Sequence, residues 1–292
     1  MKRAFIQAQF YETYYFATRI RNILHDQFAY IRHLNDFYGD GADLSFVTPF
    51  PRFSAFHSFL EFVIAEVLTD DTEHCDLDIR QDRIEQFRSL PSALRDMEPN
   101  VLPIEHALRF HSIPHASFLD WLARTGKTFD AARDDDIYDY LDSLREQGAM
   151  ETLLEQAVRE TFYVLFGNRH LLMLFNQMLA NQIQETVLAE IPSETAKFFE
   201  KDGVLGRVVI PEWVKRAVFY RDRGLCCACG CDLSGVLNIW SEEQYDHVVP
   251  LANGGMNDVT NIQLLCGACN RRKSDRRVVT SSSYEDWYEI ES

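Results

Sequence analysis

Four cysteines in the last quarter of the chain have the spacing of metal ligands. They form two Cys-x-x-Cys pairs, whose members are Cys226, Cys229, Cys266 and Cys269. Two intervening residues let one turn direct both thiolates at one ion, and four thiolates match the tetrahedral set of a structural zinc site. Six of the seven cysteines lie between residues 226 and 269, a clustering that ordinary buried cysteines explain badly. Cys227 and Cys231 are surplus, and Cys229-x-Cys231 is an alternative pair.

Polar residues follow a fixed order between and after these pairs. The run Asp246-His247-Val-Val-Pro250 precedes Gly254-Gly255, and Asn261-Ile-Gln-Leu-Leu-Cys266-Gly-Ala-Cys269-Asn270-Arg-Arg-Lys273 follows. In order, identity and spacing these residues resemble the zinc-knuckle HNH endonucleases. The resemblance covers residues 207 to 277, about a quarter of the chain, and says nothing about the rest.

The resemblance implies a ββα-metal fold and a role for each polar residue. It implies a strand carrying Asp246 and His247, a short strand over residues 262–265, and a helix from about Cys269. His247 is then the general base, and Asp246 and Asn270 are ligands of a catalytic metal ion. Asn261 orients the His247 loop by hydrogen bonding. Alternation over residues 245–249 also predicts a strand, which places Asp246 and His247 on opposite faces.

These residue types suit phosphodiester hydrolysis. The unperturbed pKa of histidine lets it take a proton from water near neutral pH. Asp246 and Asn270 offer oxygen ligands, which favour Mg²⁺ or Mn²⁺ over zinc at this second site. A basic run beside the predicted helix is placed to contact phosphates, although a solvated helix face is the plainer interpretation. Its members are Arg271, Arg272, Lys273 and Arg276.

Charge divides the chain unevenly. The formal net charge is −16, yet residues 201–292 carry only −2, so residues 1–200 carry −14. An acidic N-terminal part argues against broad DNA contact there and favours a protein partner, self-association or control of access to DNA. The apolar core of a signal peptide is missing after Met1, and no apolar run is long enough for a membrane span. With cysteines gathered as ligands, we expect a cytoplasmic protein without membrane contact.

Apolar spacing predicts that most of the N-terminal part is helical. One long amphipathic helix is expected over residues 14–38, a second from Ser54, and shorter helices between residues 70 and 105. Further helices are predicted over 117–123, 136–147, 149–166, 169–191 and 211–223. The predicted organisation is a helical domain (1–195), a connection (196–209), an HNH domain (210–280) and an acidic tail (281–292). The fold class is therefore α+β, with a mainly α-helical domain before a small zinc-supported ββα domain.

The sequence favours a metal-dependent endonuclease that acts on DNA, with structural zinc and catalytic Mg²⁺ or Mn²⁺. Because a nonspecific nuclease endangers its own cell, the acidic domain is expected to control cleavage, as suits a defence effector. Two alternatives remain open. One is a noncatalytic zinc module that binds nucleic acid or protein, and the other is an RNA-directed nuclease.

Overall fold

The computed structural model describes residues 12–38, 44–89, 99–235, 243–274 and 277–281, which are mostly helical. The helices are α1 (Thr13–His25), α2 (Ile31–Tyr38), α3 (Ala55–Glu73), α4 (Leu77–Arg88), α5 (Pro103–Phe110), α6 (Phe118–Arg124), α7 (Asp134–Glu146), α8 (Ala149–Phe166), α9 (Arg169–Gln184), α10 (Ser193–Ala196), α11 (Glu212–Arg221) and α12 (Gly267–Lys273). The strands are β1 (Phe199–Lys201), β2 (Val204–Leu205), β3 (Glu243–His247) and β4 (Ile262–Cys266). This composition confirms the predicted α+β class. Among these helices, none has the length and apolarity that crossing a bilayer requires.

The predicted long helix over residues 14–38 is wrong, because the chain turns between α1 and α2. Asp26 follows α1, and its carboxylate accepts a hydrogen bond from the backbone N–H of Ala29 at 3.3 Å. An aspartate that bonds the backbone three residues ahead favours a turn over continued helix. Because the apolar spacing continues through this turn, the sequence pattern alone predicted a single helix.

The start of α3 was predicted correctly from Ser54. The Ser54 hydroxyl oxygen accepts from the backbone N–H of His57 at 3.4 Å, as an N-cap residue does. The predicted inward side chains of this helix are all buried, namely Phe56, Phe59, Leu60, Val63 and Val67. Helix α8 has the bounds that were predicted for it.

Helix α9 ends at Gln184, earlier than the predicted residue 191, and the predicted connection 196–209 contains the β1–β2 hairpin. Gly203 forms the turn at φ +69°, and its N–H donates to the carbonyl of Thr186 at 3.0 Å. A Cβ at Gly203 would lie 2.7 Å from the carbonyl oxygen of Gln184. Only glycine therefore fits this close approach between the hairpin and the end of α9.

The chain forms two compact units that do not follow chain order. One comprises Met1–Thr18 and Leu60–Thr161, and the other comprises Arg19–Phe59 and Phe162–Ser292. The limits between them fall inside α1, α3 and α8. The predicted limits at residues 195, 209 and 280 therefore stay a prediction.

In the first unit, aromatic residues pack around α6 and α7. Phe118 and Tyr140 are buried, with ring centroids 5.3 Å apart. Glu105 is also buried, and its carboxylate accepts backbone N–H groups of Leu102 at 2.8 Å and Phe118 at 3.1 Å. Burial raises the pKa of Glu105, although those two hydrogen bonds act in the opposite direction.

In the second unit, α11 packs against the β3–β4 pair. The strands are antiparallel, with Asp246 opposite Gln263 and His247 opposite Ile262. The buried core of this region includes Val214 and Val218 of α11 together with apolar residues of β4. The sheet thus holds one face against α11 and presents the end of β3 to a cleft.

Candidate active site and metal centre

The loop that follows β3 is held by Asn261. This side chain is fully buried, and its Oδ1 accepts from the N–H of Val249 at 2.8 Å. Its Nδ2 donates to the carbonyls of Val249 and Met256, both at 2.9 Å. One amide therefore satisfies three backbone groups at the two ends of the loop. This is the geometry that the predicted orienting role requires.

His247 is the last residue of β3 and is 7% exposed. Its Nε2 lies 3.2 Å from Oδ1 of Asn257, and Nδ2 of Asn257 donates to the carbonyl of Gly206 at 2.9 Å. A carbonyl oxygen only accepts, so it fixes the orientation of the Asn257 amide. Oδ1 must then accept from His247. Nε2 consequently carries the proton, and Nδ1 is left as the acceptor.

Burial favours the neutral form of His247 at pH 7. Burial lowers its pKa to about 4, although the Asn257 contact and the Asp246 carboxylate act in the opposite direction. Desolvation disfavours a charged imidazolium, which explains the direction. A neutral imidazole with a fixed tautomer is the form in which a histidine accepts a proton.

Asp246, His247 and Asn270 line one open cleft of about 1090 Å³. Asp246 precedes His247 in β3, and Asn270 lies on α12, so the sheet and the helix bring the three predicted residues to one place. Asp246 and Asn270 present oxygen atoms of the kind that Mg²⁺ and Mn²⁺ prefer. Their chemistry and their shared cleft fit a divalent cation.

Lys273 has a different environment from the one predicted for a phosphate contact. It is 7% exposed, and its Nζ lies 2.8 Å from Oδ2 of Asp246 and donates to the His247 carbonyl at 2.6 Å. The ammonium therefore crosses from α12 to β3 and holds the Asp246 carboxylate and the His247 backbone. We propose a positioning role for Lys273 in place of the predicted phosphate contact. Arg271 and Arg272 are exposed on the same helix, and Arg276 lies outside the described residues.

Five thiols cluster where β4 ends and α12 begins. The sulfurs of Cys226, Cys229, Cys231 and Cys266 all lie within 4.8 Å of one another. The thiol of Cys269 contacts those of Cys226, Cys229 and Cys266. This cluster contains the four predicted ligands together with Cys231, which the sequence left as an alternative.

The spacing of the sulfurs fits zinc. Sγ of Cys229 lies 3.9 Å from Sγ of Cys266, and tetrahedral zinc with Zn–S bonds of about 2.3 Å separates its sulfurs by about 3.8 Å. The N–H of Cys269 donates to Sγ of Cys266 at 3.4 Å. Burial disfavours the Cys266 thiolate, but this N–H and the neighbouring thiols outweigh burial and lower its pKa to about 6. Because zinc binds thiolates, the cluster is compatible with structural zinc.

Cys227 faces away from this cluster. Burial raises the pKa of its thiol to about 12, and the thiol contacts the Asp222 carboxylate. A buried thiol with a raised pKa is an inert core residue. Of the two surplus cysteines, Cys231 therefore remains an alternative ligand and Cys227 does not.

A buried ion network anchors β4 to α9 and α11. Asp222 is fully buried, and its Oδ1 lies 3.1 Å from Nη1 of Arg169 and 2.8 Å from Nε of Arg221. Its Oδ2 accepts from Nη2 of Arg221 at 3.0 Å and from the N–H of Leu264 at 2.9 Å. Burial disfavours the carboxylate, but the Arg221 charge and the hydrogen bonds hold the pKa of Asp222 below its usual value. Arg169 also donates to Ser281, the last described residue.

Residues far away in sequence within the second unit also support the loop that follows β3. Asp258 is fully buried, and its Oδ2 accepts from the N–H of Ala55, the first residue of α3, at 3.1 Å. Nδ2 of Asn176, on α9, lies 3.2 Å from Oγ1 of Thr260. Helices from outside the predicted HNH segment thus hold the loop in place.

The sequence missed Asn257 and Asp258, which together fix His247 and the loop. Only Met256 separates Gly254-Gly255 from these two residues, and polar residues in a glycine-containing loop are a signal that could have found them. Their partners, Gly206 and Ala55, are 51 and 203 residues away. Such distant partners cannot be read from local spacing.

Comparison with known proteins identifies the C-terminal part. Residues 226–276 match the family model described as HNH endonuclease, which confirms the predicted resemblance. Comparisons with curated proteins and with solved structures gave no match. The matched segment contains the cysteine cluster and the residues that line the cleft, from β3 to α12. Residues 226–276 therefore match an HNH endonuclease domain, and this domain suggests a nuclease or a zinc module that binds nucleic acid.

Proposed function

We propose that this protein is a metal-dependent endonuclease that hydrolyses phosphodiester bonds in DNA. The observation that carries the proposal is the fixed tautomer of His247 in a cleft shared with Asp246 and Asn270. A histidine kept only for packing needs neither a defined acceptor nitrogen nor a cleft.

In the proposed mechanism, His247 takes a proton from water at Nδ1. Asn257 accepts a hydrogen bond from the Nε2–H group and holds the ring, so proton transfer needs no reorientation of the imidazole. The positive charge that develops on His247 is stabilised by the adjacent Asp246 carboxylate, which favours the protonated form. Asp246 and Asn270 would hold Mg²⁺ or Mn²⁺, and the bound cation would neutralise charge on the scissile phosphate and the leaving oxygen.

A nucleic-acid substrate is supported by exposed arginines next to the cleft. Arg271 and Arg272 follow Asn270 on α12 and are exposed, so they are free of the burial that removes Lys273 from solvent. Guanidinium groups bind phosphates through two parallel hydrogen bonds. The net charge of −14 on residues 1–200 supports control of cleavage by the N-terminal part, through a protein partner or self-association, as in a defence effector.

A noncatalytic zinc module that binds nucleic acid is the second candidate. The Lys273–Asp246 ion pair favours it, because an ammonium 2.8 Å from the carboxylate already compensates the charge that a metal ion would meet. On this alternative, α12 and the zinc cluster form a scaffold, and the cleft residues have structural roles.

Cleavage of supercoiled plasmid separates the two candidates. The full chain with bound zinc is compared with His247→Ala and with His170→Ala, which removes an exposed histidine of α9. We expect cleavage that requires Mg²⁺ or Mn²⁺, a loss of about 10² to 10⁴-fold in His247→Ala, and unchanged cleavage in His170→Ala. If His247→Ala has full zinc content and cuts as fast as the parent, the proposed mechanism is wrong. If the parent binds DNA but no metal supports cleavage, the noncatalytic module is the better conclusion.

A further inference from the structure

Four of the five clustered thiols form a closed tetrahedral set. Each thiol of this set contacts the other three, which gives the six edges of a tetrahedron; the members are Cys226, Cys229, Cys266 and Cys269. A structural zinc ion takes four ligands in this arrangement. Cys231 contacts the thiols of Cys229 and Cys266, so it lies against one edge of the tetrahedron. It is consequently a fifth thiol beside a ligand set that is already complete.

The edge next to Cys231 is the accessible side of the cluster. Cys229 is exposed, Cys231 and Cys266 are half-buried, and the other two members of the set are buried. An oxidant that approaches the cluster from solvent therefore meets Cys229 first. Because zinc binds cysteine as the thiolate, Cys229 would keep the nucleophilic form of its sulfur at neutral pH.

The backbone holds Cys231 against Cys229. Gly230, between them, has φ +71°, and its N–H donates to the Cys226 carbonyl at 2.8 Å. The N–H of Cys226 donates in turn to the Cys231 carbonyl at 2.9 Å, which closes the turn. Both the N–H and the thiol of Cys231 contact the sulfur of Cys229. An accessible thiolate with a second thiol beside it is the arrangement of redox-sensitive cysteine pairs, in which the second thiol resolves the oxidised first one.

We propose that Cys229 is a site of oxidation by hydrogen peroxide and that Cys231 is its resolving thiol. The Cys229 thiolate attacks one peroxide oxygen, the O–O bond breaks, and the other oxygen leaves as water after taking a proton from solvent. Cys229 then carries a sulfenic acid. The sulfur of Cys231 attacks the sulfur of Cys229, the S–O bond breaks, and the hydroxyl group leaves as water with the Cys231 proton. The two sulfurs together lose two electrons, which reduce one peroxide to two waters.

The disulfide acts on the metal centre and on α12. It removes Cys229 from the ligand set and leaves three thiolates where a structural zinc site has four. Cys266 and Cys269, at the start of α12, then lose the ion that joins them to the rest of the set, and the same helix carries Asn270 and Lys273. Exposed or strained disulfides are readily reduced, so the change is reversible.

Zinc release and disulfide mapping test this assignment in the zinc-loaded full chain, in Cys231→Ser and in Cys75→Ser. Cys75 is the matched control, because it is a half-buried free cysteine outside the cluster. After addition of hydrogen peroxide, released zinc is measured with a colorimetric chelator, and oxidised residues are located by mass spectrometry of alkylated peptides. Dithiothreitol and zinc are then added to measure how much metal returns. These readouts do not depend on nuclease activity.

We expect the parent and Cys75→Ser to lose zinc, to form a disulfide between Cys229 and Cys231, and to regain zinc after reduction. Cys231→Ser should purify with the zinc content of the parent. Without a resolving thiol, its Cys229 should gain two or three oxygen atoms, which dithiothreitol does not remove, and its zinc recovery should fall at least about tenfold.

Purification of Cys231→Ser without zinc would show that Cys231 is a ligand and would overturn the proposal. Zinc recovery in Cys231→Ser equal to that of the parent would overturn it as well. Disulfide mapping in the parent needs no variant, and a peroxide-induced bond that excludes either Cys229 or Cys231 would refute the assignment directly.

Discussion

Replacing Asp222 by asparagine tests whether the buried ion network stabilises the second unit. Its carboxylate receives four N–H donors, two on each oxygen, from Arg169, Arg221 and Leu264. An amide retains one oxygen, so either orientation leaves two donors facing an NH₂ group. Hydrogen bonds to charged groups contribute about 1.5–3 kcal/mol each, and removing one partner of a buried ion pair costs about 3–5 kcal/mol. We therefore expect Asp222→Asn to lower the free energy of unfolding by about 3–5 kcal/mol.

Urea unfolding of the zinc-loaded chain measures this change. With slopes of about 1–3 kcal/mol per molar urea, the midpoint should fall by at least about 1 M. Glu194→Gln is the control, since Glu194 pairs with Lys197 at 3.4 Å and its side chain is 85% exposed. The control should change the free energy of unfolding by less than about 0.5 kcal/mol. A loss below about 1 kcal/mol in Asp222→Asn would show that the buried network contributes no more than a surface pair, and the reasoning would fail.

Three further perturbations have defined outcomes. A Cβ at Gly255 would lie 1.9 Å from the Val249 carbonyl oxygen, so Gly255→Ala should lower the free energy of unfolding in urea by about 2–4 kcal/mol. A Cβ at Gly206 would lie 3.5 Å from its nearest atom, so Gly206→Ala should lower it by less than about 1 kcal/mol. Equal losses in the two variants would contradict the steric argument. Zinc removal by a strong chelator should abolish near-ultraviolet circular dichroism of the second unit, and zinc but not Mg²⁺ should restore it; an unchanged spectrum at zero zinc would refute a structural metal. Since the folded pKa of Asp222 lies below its usual value, its ionised form stabilises the fold above pH about 3.9, and that stability should be lost as pH falls below this value; an acid unfolding curve identical in Asp222→Asn would contradict it.

Local chemistry made the strands and helices of the candidate site predictable. Each cysteine pair depends on spacing within one turn, and the cysteines meet in a thiol cluster in the structure. Asp246 and His247 depend on spacing within one strand, and both line the cleft. The ends of elements were predictable where a capping residue marked them, as at Ser54. The break after α1 was not, because apolar spacing continues through Asp26 while its side chain forms a turn.

Features built from distant residues could not be predicted. Lys273 reads as one more cation of a basic run, and only the packing of α12 on β3 turns its ammonium toward Asp246. Asn257 gains its role from Gly206, which lies in a segment that read as a connection. The role of such a side chain depends on its burial and on its hydrogen-bond or ion-pair partners, rather than on residue type.

The bond between Asp258 and Ala55 has a consequence for the order of folding. The two residues are 203 positions apart, and synthesis at about 5–20 residues per second separates them by roughly 10–40 s. During that interval the N-terminus of α3 lacks its carboxylate partner. The apolar residues 56 and 59 also stay uncovered until the later helices that pack on them have been synthesised. Closing so long a loop is entropically costly and slow. We therefore expect nascent chains of this protein to depend on chaperones until residue 258 has emerged, and stalled chains of 200 residues to be far more sensitive to protease in residues 44–59 than the finished protein.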